Sequence, residues 1–353
     1  MAHASGYFKT RYRDEFFVLE TRSRKTALVL LLAGLLAFPF FASPFGLDLA
    51  NQVFLSLIGA VALMLLTGFA GQISLGHAGL LAAGAFTTAI LFKEVQAPFW
   101  IALPGSGLIG ALLGIIFGFP SLRLKGLYLA LSTMALHFIV TYIGAEYQTR
   151  RGFATGVLLD APKLGSFVVQ DPRIWYLILL AADILVVLFA FNLLRSKTGR
   201  AWVAIRDRDV AAEALGVDVR FYKVSSFMIT SMITCMAGSL FAYYRGFVSV
   251  EAFSFLTTIE YVAIIIVGGI GTILGAVFGT IFIVLLPYGI DAAAELLAIP
   301  PRLTNYLSAI KYGTFGLVMI IFLLLEPGGL VGIWRRILDY FLLWPFKYKP
   351  MGR

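Results

Sequence analysis

Residues able to do chemistry are scarce in this chain, and they gather in a few places. Polar Gln72, Ser74 and His77 interrupt an apolar stretch, Gly71-Gln-Ile-Ser-Leu-Gly-His77-Ala-Gly79, with a further glycine at 68. Such a segment fits an unwound break between two membrane helices, whose freed backbone and side-chain groups line a polar path. It equally fits a tight turn around a structural histidine. Thr257, Glu260 and Tyr261, beside Thr258, form a second polar patch inside an apolar run. Asp183 and Lys311 are the remaining ionisable residues in or near such runs. A charge in hydrocarbon is costly, so these side chains face protein or water. Lys311, near a helix end, has the alternative of snorkelling.

Catalytic constellations are missing from this inventory. The histidines His3, His77 and His137 are scattered without ligand spacing, and Cys235 is the single cysteine. An intramolecular disulfide and a metal site built on cysteines are therefore excluded. The sequence has no G-x-x-x-x-G-K-[ST] phosphate loop, no H-E-x-x-H and no G-x-S-x-G. Without the glycine-rich loop and its lysine there is no Walker-type cradle for a nucleotide. The chain reads as a non-enzyme with no cofactor of its own, and any ATP that drives it is hydrolysed elsewhere.

What must position these few polar groups is a bilayer-spanning scaffold. Of the 353 residues 60% are hydrophobic and 13% charged, with a mean hydropathy of +0.90. A soluble domain carries about 45–50% apolar and about 25% charged residues, so lipid, not water, is the solvent for most of this surface. A spanning helix needs about 20 apolar residues. Ten runs qualify as candidates, at 27–43, 50–70, 78–93, 98–119, 126–144, 174–194, 224–244, 256–270, 273–290 and 307–325. The predicted fold is an all-α polytopic membrane protein. It divides into an N-terminal segment 1–26, a membrane domain 27–325 and a tail 326–353. Net charge is +9, but the lysines and arginines sit in short clusters between apolar runs. That is the signature of topology-setting loops and not of a nucleic-acid groove. With ten spans both termini share one side, which collects 20 of the 28 basic residues through 1–26, 120–125, 195–223 and the tail. By the positive-inside rule that side is the cytoplasm.

The most informative loop is the cytoplasmic one, 195–223. Asp207 or Asp209 can cap a short helix through Ala212, Glu213 and Ala214, and Gly216 can end it. Its small apolar face either docks into a groove on a cytoplasmic partner or lies on lipid head groups. Elsewhere, Gly110-Ala-Leu-Leu-Gly114-Ile-Ile-Phe-Gly118 is echoed by Gly271-Thr-Ile-Leu-Gly275-Ala-Val-Phe-Gly279. Both are small-xxx-small patterns that let helix backbones approach in lipid. They fall five spans apart and so run in opposite directions, which predicts a 5+5 inverted repeat.

Several of these passages together carry a family resemblance. They are Gly71-Gln-Ile-Ser-Leu-Gly-His77, Leu122-Arg-Leu-Lys-Gly-Leu-Tyr-Leu-Ala130, Arg200 through Arg206, Asp207 and Asp209 to Gly216, Ser249 to Phe255 with Ile259-Glu260 and Val267 to Gly271, and Pro327 to Gly332. In this order they resemble the membrane permease subunits of branched-chain amino acid ABC importers of bacteria. The resemblance implies that Ala212-Glu213-Ala214 to Gly216 belongs to a coupling loop that contacts an ATPase. It implies a second, homologous permease subunit, two cytoplasmic ATPase subunits that hold ATP and Mg, and a periplasmic substrate-binding protein, all at the inner membrane. It leaves the solute open among branched-chain amino acids, short amides, urea and small aromatic acids. The external Arg151-Gly-Phe-Ala-Thr-Gly156 departs from the Thr-Gly-Gly opening common in such permeases. A secondary transporter or channel working without an ATPase is the alternative. It would draw on Asp183 and Glu260 for ion coupling.

Overall fold

The computed structural model describes residues 22–153, 155–164, 167–296 and 307–343. Most of residues 1–26, the end of the tail and residues 297–306 lie outside the described residues. Twelve α-helices are present among those described. In chain order they are α1 (Arg22–Phe41), α2 (Pro44–Leu63, continued by a π-turn at Met64–Phe69), α3 (His77–Val95), α4 (Phe99–Gly118), α5 (Leu127–Arg150), α6 (Pro172–Arg195), α7 (Lys197–Ala214), α8 (Val219–Arg245), α9 (Phe255–Gly268), α10 (Ile273–Leu296), α11 (Leu307–Leu325) and α12 (Gly329–Leu343). Local chemistry sets several starts. Ser43 caps α2 by accepting from the Gly46 amide, with Pro44 in the first turn. Asp171 caps α6 with Pro172 behind it, and Asp218 accepts from the Phe221 amide to open α8. These side chains satisfy amides that the first turn leaves free.

Eight of the described helices, α2 to α6 and α8 to α10, are long and apolar enough to cross a bilayer; a ninth is the pair α11 and α12 if counted as one bent span. Against the ten expected, the described helices that meet this length and composition fall short at both ends. The apolar part of the first run, Thr26–Phe41, is a shorter helix. At 1.5 Å per residue it reaches about 24 Å, less than the hydrocarbon thickness of about 30 Å. The last span turns by 47° into α12 at Pro327-Gly328-Gly329, where Gly329 takes a φ of +63°. Proline and a left-handed glycine there end one helix and re-aim the next. Each strand among the described residues has two residues. β1 (Val157–Leu158) pairs antiparallel with β4 (Phe247–Val248), and β2 (Lys163–Leu164) with β3 (Phe167–Val168).

Helices α2, α3 and α8 form the centre, and α6 is the most peripheral of the long spans, with 22% of its apolar window buried. The centre is rich in small residues because backbones, not side chains, meet there. Gly84 of α3 lies against the Cys235 backbone of α8, and Gly238 of α8 lies against the Leu81 carbonyl of α3. The Thr88 and Ser239 hydroxyls, 2.7 Å apart, bridge the same crossing. The threonines of α8 turn inward on their own helix: Thr230 donates to the Ser226 carbonyl and Thr234 to that of Thr230.

The contact pattern is paired. Helix α4 packs on α8, as α10 does on α2; α3 packs on α4, as α9 does on α10; and α3 touches α5 as α9 touches α11. The two glycine runs, by contrast, make unlike contacts. Gly110, Gly114 and Gly118 face the backbone of α8 at Ser231, Phe227 and Val224, whereas Gly275 and Gly279 face Gly268, Gly269 and Ile264 of the neighbouring α9. Gly271 stands in the break between α9 and α10 with φ +80°.

Candidate functional site

Three polar places emerge, one outside the apolar helices, one at the helix breaks and one in a cavity. The first is α7. Its backbone is interrupted at Arg208 (φ −157°, ψ 103°), which divides it into an anchored half and a presented half. Trp202, fully buried, anchors the first half by donating its indole N–H to the Tyr222 carbonyl at 3.1 Å. The second half starts at Asp209, whose Oδ1 accepts from the Val210 amide at 3.0 Å. Its Oδ2 meets Lys125 at 2.5 Å and Lys223 at 3.4 Å. Ala212 is buried beneath it, while Glu213 and Ala214 are exposed. Val210 and Leu215 are 74% and 86% exposed. Gly216, at φ +86°, closes the turn: its amide bonds the Glu213 carbonyl and the Val217 amide bonds that of Ala212. Those two bonds are the Schellman pattern, which needs a left-handed residue at that point.

The lysine tether also shapes the pH response. Hydrogen bonding to Lys125 holds the Asp209 carboxyl below its ordinary value, with Lys125 and Lys223 charge adding to the effect against a smaller desolvation. A carboxylate whose folded pKa is depressed contributes at neutral pH and loses that contribution as pH falls through the depressed value. A spin label at Ala214→Cys should therefore gain mobility only in acid. With Asp209→Asn added, the label should already be mobile at neutral pH, and equal spectra for the two chains at neutral pH would refute the tether.

The second place is the junction of α2 with α3. The π-turn leaves α2 with irregular carbonyls, and Arg206 of α7 donates from Nη1 to one of them, Gly68 O, at 2.7 Å. The stem of Arg206 passes over Gly71 and its guanidinium over Gly271, and Gly68 itself lies against the Gly271 backbone. Asp207 accepts from Arg206 at 3.1 Å. Gln72 is buried and donates to the Lys223 carbonyl at 3.1 Å and to Ser226 Oγ at 2.5 Å. Ser74 is buried next to the Gly76 amide. The breaks of two helix pairs thus meet beneath one side chain of α7.

The third place begins where α3 starts. His77 is buried, its ring centroid is 4.5 Å from that of Tyr261, and its Nε2 has no hydrogen-bond partner. The Ala78 amide donates to Thr258 Oγ1 at 3.0 Å, and Tyr261 packs on Gly59. Past Tyr261 opens a cavity of ≈ 360 Å³ walled by α2, α9, α10 and α11. Glu260 and Tyr261 line it; Gln72, Ser74, His77 and Thr257 do not. Lys311 lines it too, paired with Asp291 at 2.7 Å, which replaces the snorkelling alternative.

So the sequence located Glu260 and Tyr261 but overlooked their partners. Asp48, Gln52 and Ser56 recur every four residues in α2, which places them on one helix face. Gln52 donates to Asp48 at 2.6 Å and accepts from Tyr288 at 3.0 Å, and the Tyr244 hydroxyl closes on Asp48. That spacing was a legible signal. Asp183 is buried in α6, and neither carboxylate oxygen has a hydrogen-bond partner. Among the described residues no three His, Cys, Asp or Glu side chains cluster as metal ligands.

Comparison with known proteins adds a lineage to this geometry. Residues 45–323 match the family described as "Branched-chain amino acid transport system / permease component". The high-affinity branched-chain amino acid transport system permease protein LivM of Escherichia coli (strain K12) is 32% identical over 340 residues, 89% of this chain and 76% of that one. A probable branched-chain amino acid transport permease protein LivM of Methanocaldococcus jannaschii is 26% identical, over 65% of this chain and 67% of its own. The autoinducer 2 import system permease protein LsrC of Salmonella typhi is 25% identical, over 59% and 60% respectively. No solved structure matches.

Proposed function

This chain belongs to the permease-component family of branched-chain amino acid transport systems, and on that premise we propose that it is the membrane permease of an ATP-driven ABC importer for branched-chain amino acids or related small solutes. It works beside a second, homologous permease, two cytoplasmic ATPase subunits that carry ATP and Mg, and a periplasmic substrate-binding protein, in the bacterial inner membrane. The observation that carries this reading is the presented half of α7. A helix of two turns is broken away from its anchor at Arg208, clamped by two lysines and left with Val210, Glu213 and Leu215 facing outward. That is a surface for a partner's groove and not a part of the bundle.

In this reading Arg206, Asp207, Asp209, Ala212, Glu213, Ala214 and Gly216 form the coupling element. Gln72, Ser74 and His77 brace the inner break, and Glu260 and Tyr261 face the solute. The ten-crossing topology, with residues 1–26 and the tail 326–353 cytoplasmic, has α1 and α11 crossing as well. The paired contacts of α2 to α5 with α8 to α11 support the 5+5 inverted repeat better than the two glycine runs do. ATP closes the ATPase pair, α7 follows, and the helix breaks change which end of the bundle is open; each ligand acts by favouring one of two states.

Glu213→Lys tests the docking step. Reversing the charge at so small a contact sets like against like, and capture of the ATPase subunit by the tagged chain should fall about tenfold, equivalent to about 1.4 kcal/mol. Undiminished capture would refute docking through this face. The unpaired Asp183 carboxylate favours one rival, ion-coupled transport without ATPase. Uptake by vesicles that hold this chain and an ion gradient but no ATPase subunit would establish that rival.

A further inference from the structure

Helix α12 differs in kind from the span that precedes it. Residues 312–325 of α11 carry no charge, whereas α12 has two faces. Ile333, Trp334, Ile337, Leu338 and Phe341 recur at the spacing of one helix side, and Gly332, Arg335, Arg336 and Asp339 recur on the other. All five apolar side chains are exposed, Phe341 at 72%. The first turns are anchored: Gly329 lies against the Gly269 backbone, Val331 is buried, and the Trp334 ring stands 6.0 Å from that of Phe278 in α10. Arg336 donates to both carboxylate oxygens of Glu326, at 2.6 and 2.8 Å, across the 47° bend from α11. Arg335 is exposed and forms no ion pair among the described residues.

These features place α12 at a membrane surface. At 1.5 Å per residue it reaches about 22 Å, short of the hydrocarbon thickness of about 30 Å. Crossing would also put two arginines and an aspartate into hydrocarbon. Its start marks its depth. Gly329 sits on the break between α9 and α10, the same break whose Gly271 is met by Arg206 of α7. So α12 leaves the bundle at the end that carries α7. A helix with one apolar and one charged face at that level lies in the interface. Charge selects the lipid. From Gly329 to Arg353 the sequence has five basic residues, Arg335, Arg336, Lys347, Lys349 and Arg353, against one acidic, Asp339. We propose that α12 is seated in the membrane surface on the α7 side, with its apolar face among acyl chains and Arg335 on the phosphate of an anionic lipid. The partner is lipid and not a second protein, because the apolar face follows directly on the exposed Leu324 and Leu325 that end α11, and because the basic excess matches anionic head groups. The seat requires only that the chain spans a bilayer, and not that it is an importer.

The test uses the full chain in nanodiscs of phosphatidylcholine and phosphatidylglycerol, with one or the other lipid brominated on its acyl chains. Cys235 is buried, so a bimane label attaches selectively to Ile337→Cys on the apolar face or to Asp339→Cys on the charged face. The label at Ile337→Cys should be quenched by brominated lipid, and the label at Asp339→Cys by aqueous iodide. At equal low mole fraction, brominated phosphatidylglycerol should quench the first label about fivefold more than brominated phosphatidylcholine, the fold-change of about 1 kcal/mol for one basic residue near an anionic surface. Adding Arg335→Glu should bring the two lipids to parity, and so should high salt. Quenching of the Ile337→Cys label by neither lipid would show protein over that face, and iodide quenching as strong as at Asp339→Cys would show water; either overturns the seat. Equal quenching by the two lipids while Arg335 is present overturns the anionic preference, and that comparison decides the matter even where Arg335→Glu does not assemble.

Discussion

Leucine at position 84 should abolish the folded permease, whereas leucine at position 34 should leave it intact. A Cβ built on Gly84 would stand 2.6 Å from the Cys235 Cα and still closer to that residue's carbonyl. The obstacle is backbone on the facing helix, so no side-chain rotation relieves it. The only response is to separate α3 from α8, which would also pull Gly238 off the Leu81 carbonyl and part the Thr88 and Ser239 hydroxyls. Overfilling a well-packed core costs about 1–3 kcal/mol when side chains can adjust. Here they cannot, and a domain's whole stability is about 5–15 kcal/mol. Gly34 has nothing within 4 Å of an added Cβ. Fluorescence-detected gel filtration after a heating series would report both. A monodisperse Gly84→Leu chain with wild-type thermal stability would show that α3 and α8 do not cross at that distance. Gly275→Leu should fall between them, since its Cβ would stand 2.5 Å from the Gly269 carbonyl and 2.6 Å from the Thr272 hydroxyl, next to a helix break and not in mid-helix.

How far such arguments could be made from sequence depends on the feature. Each of the ten apolar runs corresponds to a helix, because hydrocarbon demands that every backbone group be bonded within its own segment. Ends were harder. Whether Thr26–Phe41 counts as a crossing turns on a few residues of length, and the 47° bend arises from Pro327 and glycines that also read as a simple stop. The glycine runs lie against neighbouring backbone, and the partner of each is decided by tertiary arrangement. That is why alike motifs at Gly114 and Gly275 face different neighbours. In the polar regions, residue type was legible and grouping was not. Gln72 and Glu260 looked like one pathway; the fold puts the first under α8 and the second in a cavity. Nothing in the sequence marks Arg208 as the residue at which α7 breaks, since extended backbone is open to every residue type.

Removing the guanidinium of Arg206 should separate ATP hydrolysis from transport. This side chain comes from the anchored half of α7, just before the break, and so moves with whatever holds the presented half. At its far end Nη1 bonds the Gly68 carbonyl at 2.7 Å, a group that the π-turn has released from regular helix pairing. It also lies on Gly71 and Gly271, both at positive φ, which have no side chain to resist a shift. A displacement of α7 is thus delivered to two helix breaks through one charged hydrogen bond, a class of contact contributing about 1.5–3 kcal/mol. Arg206→Gln keeps polarity but loses the charge and the reach. The expected result is ATPase capture at the wild-type level, hydrolysis that continues, and solute uptake lower by about tenfold or more, the factor that 1.4 kcal/mol represents. Glu213→Lys should show the reverse order of loss, with capture failing first. Lysine at position 206 should restore little, because a single ammonium lacks the guanidinium fork that bonds the Gly68 carbonyl from Nη1 and Asp207 from Nη2. Wild-type uptake per ATP in Arg206→Gln would remove this link, and coupling would then have to pass through the Asp209 clamp on Lys125 and Lys223, which joins α7 to the start of α5 and α8 without touching either break.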